Sequence, residues 1–276
     1  FCGDPKYRSN NSLITSKYTM LMGDDEFYIP SAIEACIDEL ENDVSLVSCF
    51  GRCMCFNHHE GALKTKLVYK NMADYSVPHS NPDDRVLYHM NNYSPSTVYS
   101  VMRTDVWKNA VSCTDNELYK VFSLEELQFE IASSYLGKSR VLPVLLWISS
   151  AENPGATDKT QLTKIHDWWG DHLNDKLREQ MLSEFTHKLL KDQSDVNVKH
   201  VQEVIAKSFE LYMSIQKQQQ PIRSIIIFQV AKLLSMLPRI IKDMLKKQAY
   251  KTYYNLHNYK GIDAISEQLE IDGVYV

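Results

Sequence analysis

A chain of 276 residues is long enough to form one large domain or two smaller ones with a complete hydrophobic core. Its content of 44% hydrophobic and 24% charged residues is ordinary for a soluble globular protein. A net charge of −5 argues against a nucleic-acid-binding protein that depends on a globally basic surface, so we expect no nucleic-acid partner.

The sequence predicts a cytosolic protein without a spanning helix. The chain opens with Phe1, and no signal-like segment precedes the first motif, so we expect a processed or truncated product. No apolar run reaches the roughly 18 residues of a membrane span. Six cysteines in so long a chain do not resemble a disulfide framework and indicate a reducing, cytoplasmic setting. The spacing of Cys49, Cys53 and Cys55 departs from the usual zinc pattern and favours buried free thiols.

The first predicted elements are a short strand and a helix. Thr19 to Met22 form an apolar run of the kind found in buried strands. The carboxylates of Asp24, Asp25 and Glu26 follow this strand directly. A helix is predicted from Pro30 to Leu40, with apolar residues on one face.

The acidic turn before this helix has two interpretations. Ligands of open α/β sheets bind at the carboxyl ends of strands, and clustered carboxylate oxygens suit Mg²⁺ or Mn²⁺. A divalent cation held there could bridge a substrate diphosphate and neutralise the leaving group. The alternative is a solvated acidic turn whose charge stabilises the N-terminus of the helix beginning at Pro30.

Strands and helices continue to alternate up to residue 150, as in an α/β domain. A strand is predicted from Val44 to Phe50, followed by a mixed region with loops at 57–61 and 78–84. Ser96 to Met102 is predicted as a strand, and Thr104 as the cap of a helix. The next elements are a helix from Ser123 to Leu136, with Gly137 as its C′ residue, and a strand from Val141 to Ile148.

The pattern changes to helix alone after about residue 155. Helices are predicted over 171–191, 196–217 and 222–250, with Pro238 kinking the last. We therefore divide the chain into an α/β domain, 1–155, and a helical region, 156–276. The segment 222–251 is basic and amphipathic, which predicts peripheral contact with an anionic membrane. The alternative is a packed helix with solvated lysines.

A second acidic group opens the helix that begins near Ser123. Ser123 and Glu126 have the spacing of a capping box, in which both side chains bond the helix N-terminus. The functional alternative is that Glu126 or Glu125 acts as a general base facing the acidic turn, taking a proton from an acceptor hydroxyl.

Together, these motifs resemble nucleotide-sugar glycosyltransferases of the GT-A fold, in particular the inverting, family-two-like group and bacterial glycosyltransferase-domain proteins. Residues 18–30 resemble the strand and DXD motif of that group, with Asp25 five residues before Pro30. Gly23 departs from the motif, because many members have an Asp there. Glu126 matches the second acid of an acidic pair that lies eleven residues before a Gly.

The resemblance implies roles for individual residues. Asp25 would be a metal ligand, and Asp24 would face the metal or the nucleotide. Glu126, with Glu125 beside it, would provide the base. Arg103 would contact the donor at the end of an acceptor-side segment, Asn91 to Arg103. His166 matches a late metal or diphosphate contact, for which an ordinary, partly exposed histidine is the alternative, and the run Asp83-Asp84-Arg85 would line the same cleft.

The resemblance also implies a fold and an activity. The fold would be a GT-A-like, Rossmann-like mixed sheet that lacks its first strands, followed by an all-helical region. The activity would be Mn²⁺- or Mg²⁺-dependent inverting transfer of a sugar from a nucleotide-diphosphate donor to a hydroxyl of a glycan or lipid-linked acceptor, as in polysaccharide biosynthesis. Because strands that bind the nucleotide would precede residue 7, activity of this chain alone stays open. The alternatives are a nucleotidyltransferase and a non-catalytic membrane-surface or partner-binding module on a degenerate transferase core.

Overall fold

The chain adopts a mixed α/β fold. The computed structural model describes residues 11–23, 26–59, 62–69, 72, 75–94, 97–114, 118–150 and 162–215. The strands within these ranges are β1 (Tyr18–Thr19), β2 (Glu26–Tyr28), β3 (Leu46–His59), β4 (Ala62–Val68), β5 (Ser76–Val77), β6 (Val101–Arg103), β7 (Val121–Phe122), β8 (Lys138–Ser150) and β9 (Thr163–Lys164). The helices are α1 (Pro30–Asn42), α2 (Pro82–Asn91), α3 (Thr104–Cys113), α4 (Leu124–Leu136), α5 (Ile165–Gly170), α6 (Asp175–Leu189) and α7 (198–215).

The main sheet is mixed, as the sequence predicts. Its order is β1-β6-β3-β8-β2, with β4 added to β3 and β5 added to β8. The two longest strands, β3 and β8, run parallel, with Cys49 opposite Arg140 and Cys53 opposite Trp147. The other pairings in this sheet are antiparallel. A separate parallel pair is formed by β7 and β9, and β9 is a short strand within the region for which only helices are predicted.

Two hydrophobic clusters pack the chain. One lies between α1 and the main sheet and contains Cys36, Leu40, Phe50 and Leu146. The other is formed mainly by the helices from α2 to α7, with Phe129 of α4 among its completely buried side chains. The second cluster includes residues from both sides of position 155, and the domain division placed there stays a prediction. The described cysteines are buried and free, as expected from their spacing.

The apolar periodicity of the helices is largely confirmed. Ala32, Cys36 and Leu40 of α1 are buried on one face, and Val201, Ile205, Phe209 and Tyr212 of α7 are buried in the same way. The spacing of Leu173, Leu177, Met181 and Phe185 predicts one buried face for the helix over 171–191, and only half of this is correct, since Met181 and Phe185 are buried whereas Leu173 is 77% exposed. Leu173 lies in a short 3₁₀ turn before α6, which has a different geometry from the helix that follows.

Several predicted boundaries are wrong in the segment 44–104. The strand that starts near Val44 continues past Phe50 to His59 and forms a hairpin with β4. The predicted loop 78–84 runs into helix α2, which begins with Asn81 as a cap and Pro82 as its first residue. The predicted strand 96–102 is reduced to β6, preceded by turns. Thr104 is the first residue of α3, and no side-chain cap precedes it.

The segment around the acidic turn differs from the prediction in one described residue. The predicted strand from Thr19 to Met22 is limited to β1, and Glu26 opens strand β2 beside β8 instead of lying in a turn. Asp24 and Asp25 lie outside the described residues. So does the predicted helix over 222–250. Within the described ranges, no helix is both long and apolar enough to cross a membrane.

Gly137 joins α4 to β8 for a reason other than the one predicted. A C′ glycine often adopts a left-handed conformation, but Gly137 is extended, with φ of −178°. A Cβ added at Gly137 would lie only 2.1 Å from Cγ1 of Val47 in β3. Glycine is therefore required here because the end of α4 passes directly against the neighbouring strand.

We predict that Gly137→Ala lowers the free energy of unfolding by about 1–3 kcal/mol, the usual cost of overpacking a tight contact. Val47 would have to move to accommodate the new methyl group. Gly170→Ala is the matched control, because a Cβ at Gly170 meets nothing within 4 Å. Urea unfolding monitored by circular dichroism gives both values, and equal stability of the two variants would contradict this explanation.

Candidate functional site

The predicted capping box at the start of α4 is not formed. Ser123 has a left-handed backbone, with φ of 65°, and its side chain makes no capping hydrogen bond. Glu126, the other residue of the predicted box, instead accepts a hydrogen bond from the hydroxyl of Tyr93, at 2.5 Å. The capping-box interpretation of the Ser123/Glu126 spacing is therefore wrong. The carboxylate of Glu126 is bound by Tyr93 instead of by the N-terminus of α4.

Glu126 is partly buried in a setting that favours its neutral form. Burial raises the pKa of the Glu126 carboxyl, the hydrogen bond from Tyr93 opposes that rise, and the charge of Glu130 adds to it. Tyr93 stays a neutral donor, because burial and the charge of Glu126 raise its own pKa well above the usual value. A carboxylate with an elevated pKa beside a fixed donor has the properties of a general base.

Aromatic residues connect Glu126 to His166, another predicted site residue. The ring of Tyr93 meets that of Tyr212 of α7 edge-on, with centroids 5.0 Å apart. Tyr212 in turn stacks on the imidazole of His166 at 6.2 Å, and the imidazole Nδ1 lies 3.0 Å from the sulfur of Met213. The fold therefore brings Glu126 and His166 into one neighbourhood, on two sides of a tyrosine pair.

Tyr69 follows β4 and is affected by the charges of both Glu126 and Glu26. Burial raises the pKa of Tyr69 to about 12, and the charges of Cys53, Glu126, Cys55 and Glu26 contribute to the rise. Because Coulombic interactions weaken with distance, both Glu126 and Glu26 lie close enough to Tyr69 for their charges to affect it. Tyr69 is 37% exposed and has a left-handed backbone, with φ of 51°.

Tyr69 is one of several aromatic rings that pack around Trp147 of β8. Trp147 is buried, and the rings of Tyr99, Tyr28 and Tyr69 lie nearly parallel to it, with centroid distances of 4.2, 6.4 and 6.4 Å. Of these four rings, Tyr69 is the exposed one, and a flat aromatic face of this kind suits the apolar face of a sugar or a nucleobase.

The predicted metal ligands lie mainly outside the residues that the structure describes. Asp24 and Asp25 are not described, and within the described part of the chain no group of three or more His, Cys, Asp or Glu residues could hold a metal ion. Glu26 folds back so that its Oε2 accepts a hydrogen bond from the Gly23 backbone N–H at 2.9 Å. A Cβ at Gly23 would lie 2.9 Å from Cδ of Glu26, so the glycine that departs from the DXD motif makes room for this carboxylate.

Arg103 lies at the C-terminal end of α1. Its guanidinium donates to the carbonyl oxygens of Leu40 and Leu46, the latter at 2.9 Å. A cation in this position neutralises the carbonyl end of a helix. These contacts give Arg103 a role in the fold, and its contact with a donor stays a prediction.

The guanidinium of Arg85 binds the C-terminal end of α4. Its Nε donates to the carbonyl oxygen of Ser134 at 2.8 Å, and another guanidinium nitrogen donates to that of Tyr135. Tyr135 is nine residues beyond Glu126, or roughly 13 Å along the helix. These contacts give Arg85 a role in the fold, and the lining of the cleft by Asp83-Asp84-Arg85 stays a prediction. Asp83 lies 2.7 Å from His200 of α7, in a partly exposed ion pair.

Glu125 lies next to Glu126 in the first turn of α4 and is also partly buried. A carboxylate in this position stabilises the positive end of the helix dipole. Sequence reasoning missed Tyr69 as part of the site, included Tyr93 only as an unassigned residue of the acceptor-side segment Asn91 to Arg103, and assigned Tyr212 only to an apolar helix face. No local motif identifies these tyrosines, because they come from three distant parts of the chain.

No protein-family model and no curated protein matches this sequence. Among solved structures, the chain is similar to residues 1–349 of TarS from S. aureus, with a TM-score of 0.45 and 12% sequence identity. The similarity covers 79% of this chain and 53% of that one, so this chain spans about half the length of the TarS structure. TarS is a wall teichoic acid glycosyltransferase. At this TM-score the GT-A architecture stays a prediction.

We predict that Glu126→Gln stabilises the protein at pH 8 by about 0.5–2 kcal/mol, as is common when a strained functional charge is removed. The folded state raises the pKa of Glu126, so it binds this proton more tightly than the unfolded chain does. Ionisation of this carboxyl therefore lowers the free energy of unfolding as the pH rises past the pKa of Glu126 in the unfolded chain and through its pKa in the folded protein. The amide oxygen of Gln can still accept the Tyr93 hydrogen bond.

Thermal unfolding of both proteins at pH 4 and pH 8 checks this prediction. The advantage of Glu126→Gln should shrink at pH 4, where the wild-type carboxyl is protonated in the fold. Glu34→Gln, at an exposed position on α1, serves as the control and should leave the pH dependence unchanged. A variant that is less stable than wild type at pH 8 would show that the charged form of Glu126 is favoured by the fold.

Proposed function

We propose that this chain carries the acceptor-activating part of a glycosyltransferase that uses a nucleotide-diphosphate sugar. The observation that supports this most is the environment of Glu126. It is a carboxylate that helix capping does not use, its pKa is raised by burial, and it accepts a hydrogen bond from Tyr93, whose ring packs against that of Tyr212.

In the proposed reaction, Glu126 takes the proton of an acceptor hydroxyl as the acceptor oxygen attacks the anomeric carbon of the donor. The new oxygen–carbon bond forms while the bond from that carbon to the diphosphate breaks, and the diphosphate leaves with the electron pair. A single direct displacement inverts the anomeric configuration. Tyr93 holds the carboxylate through its hydrogen bond, and the elevated pKa of Glu126 brings its basicity closer to that needed at neutral pH.

Asp24 and Asp25 are proposed to bind Mn²⁺ or Mg²⁺, on the strength of the sequence motif alone. When bound, the cation would neutralise charge on the diphosphate leaving group. Glu26 keeps its carboxylate on the Gly23 backbone, which leaves the two aspartates as the ligands that the motif offers. The aromatic stack on Trp147 supports a ligand with a flat apolar face, as a sugar ring has.

The donor and acceptor remain defined only by class. A glycan or lipid-linked acceptor, a cytoplasmic location and peripheral membrane contact through 222–251 are proposals from the sequence. The contribution of His166 is proposed to be the support of Tyr212 rather than metal binding, because its ring lies parallel to that tyrosine and its Nδ1 faces a methionine sulfur.

We predict Mn²⁺-dependent binding of UDP or GDP to the wild-type chain, weakened roughly 10- to 100-fold by Asp25→Ala, as is typical when metal coordination is disturbed. Isothermal titration calorimetry with and without Mn²⁺ provides the affinities. Asp38→Ala, which removes an exposed acid from α1, should bind like wild type. If the wild-type chain binds neither nucleotide in the presence of Mn²⁺, the proposal of a UDP- or GDP-sugar donor fails.

Glu126→Gln should reduce the rate of donor turnover by about 10²–10⁴-fold, the usual contribution of a general base, without weakening nucleotide binding. Release of UDP or GDP from a panel of nucleotide sugars, with water as the acceptor, measures turnover without a known acceptor. Glu34→Gln is again the control. Turnover that survives in Glu126→Gln at the wild-type rate would exclude Glu126 as the base.

A further inference from the structure

One helical turn beyond Glu126, a second carboxylate is sealed inside the protein. Glu130 and its partner His89 of α2 both have completely buried side chains, with 0% relative exposure. Residues four apart lie on the same face of a helix, so Glu130 follows Glu126 along one face of α4. Neither the capping of α4 nor the proposed reaction uses this pair.

The hydrogen bonds of Glu130 fit an ionised carboxylate. Its Oε1 accepts from the backbone N–H of Val98 at 3.0 Å, and its Oε2 lies 2.7 Å from Nε2 of His89. The other ring nitrogen of His89, Nδ1, is 2.6 Å from the hydroxyl of Tyr75. When Tyr75 donates to Nδ1, a neutral imidazole has its N–H at Nε2 and donates it to Glu130. Both oxygens of Glu130 then accept, as an ionised carboxylate requires.

We propose that Glu130 is a positioning residue for Glu126: held ionised by His89 and the Val98 N–H, it keeps a negative charge one helical turn from the base and controls the pH at which Glu126 can accept a proton. Its catalytic consequence rests on the function proposed above. The electrostatic coupling between the two carboxylates does not.

The other groups that face Glu126 do not compete with this charge. Among the described residues, these groups are phenols from three separate elements: Tyr93 after α2, Tyr212 on α7 and Tyr69 after β4. Burial raises the pKa of each of them, so they are neutral at pH 7. The ring of His166 stacks on Tyr212, and the charge of Glu26 contributes to the raised pKa of Tyr69.

Glu130→Gln tests the proposal with little change in shape. The amide oxygen can accept from Val98 N–H, and the amide NH₂ can donate to His89 if the imidazole proton moves to Nδ1 and is donated to Tyr75. The protein is labelled with ¹³C at the glutamate carboxyl carbons, and the signal of Glu126 is assigned by its loss in Glu126→Gln. The pH midpoint of this signal should move to lower pH in Glu130→Gln, because a repelling charge has gone.

Two further variants separate charge from structure. Glu130→Asp retains the charge and should keep the Glu126 midpoint close to that of wild type, whereas Glu34→Gln removes an exposed glutamate and should not move it. If Glu130→Gln fails to fold, the wild-type spectrum decides. Glu130 must show the carboxylate signal at every pH where Glu126 titrates. Protonation of Glu130 before Glu126, or an unchanged midpoint in Glu130→Gln, overturns the proposal.

The rate of donor turnover against pH provides the catalytic readout. Its acidic limb, which reports the ionisation of the base, should move to lower pH in Glu130→Gln together with the NMR midpoint. A merely structural role would lower the rate at every pH and leave the limb in place. A shifted NMR midpoint without any turnover in wild type supports the coupling and contradicts the proposed function. Turnover with an unshifted midpoint contradicts the coupling alone.

Discussion

The parallel pairing of β3 with β8 is the interaction on which the rest of this structure depends. These two strands form the middle of the main sheet, and α1 covers them through Cys36 and Leu40. Helix α4 enters β8 through Gly137 alone, at a point where the chain touches Val47 of β3. The register of β8 on β3 therefore fixes the position of α4, and with it the position of Glu126 in the first turn of that helix. A side chain larger than hydrogen at Gly137 would push α4 away from the main sheet.

Much of the fold could be predicted because its helices follow simple apolar periodicity, but α2 could not. The buried face of α2 includes Arg85 and His89, polar residues that a periodicity search assigns to solvent. They are buried because α4 presents matching partners, the carbonyl oxygens at its C-terminal end and the carboxylate of Glu130. The partners lie more than 40 residues away in the sequence, at separations of 49 and 41, so no local pattern shows them. The Pro- and Asp-rich start of α2 adds to the error, because it is equally typical of a loop.

The extent of β3 was underestimated for a related reason. Gly51 and Arg52 follow Phe50 and break its apolar run, which suggests the end of a strand. In the structure Gly51 is an interior residue of β3, and a Cβ there would lie 2.6 Å from the carbonyl oxygen of Val144 and from Cβ of Leu146. An interior glycine thus marks a close approach of two backbones, as it often does in sheets. Of the candidate site, the sequence singled out Glu126 through its spacing to Gly137, whereas the contacts of Tyr93 with Glu126 and Tyr212 are made only by the fold.

The buried pair of His89 on α2 and Glu130 on α4 forms a polar seam between these helices that stability alone does not explain. A buried ion pair is often no more stable than well-packed apolar residues of the same size, since desolvation offsets the attraction. Here a completely buried His–Glu pair lies one helical turn from a carboxylate whose pKa the fold raises, and apolar residues such as Met90 and Phe129 occupy the surrounding core. A core that could have been apolar at this position instead holds a hydrogen-bonded chain of Tyr75, His89 and Glu130. These polar residues are understandable if the polar seam sets the electrostatic environment of Glu126 rather than the packing of α2 on α4.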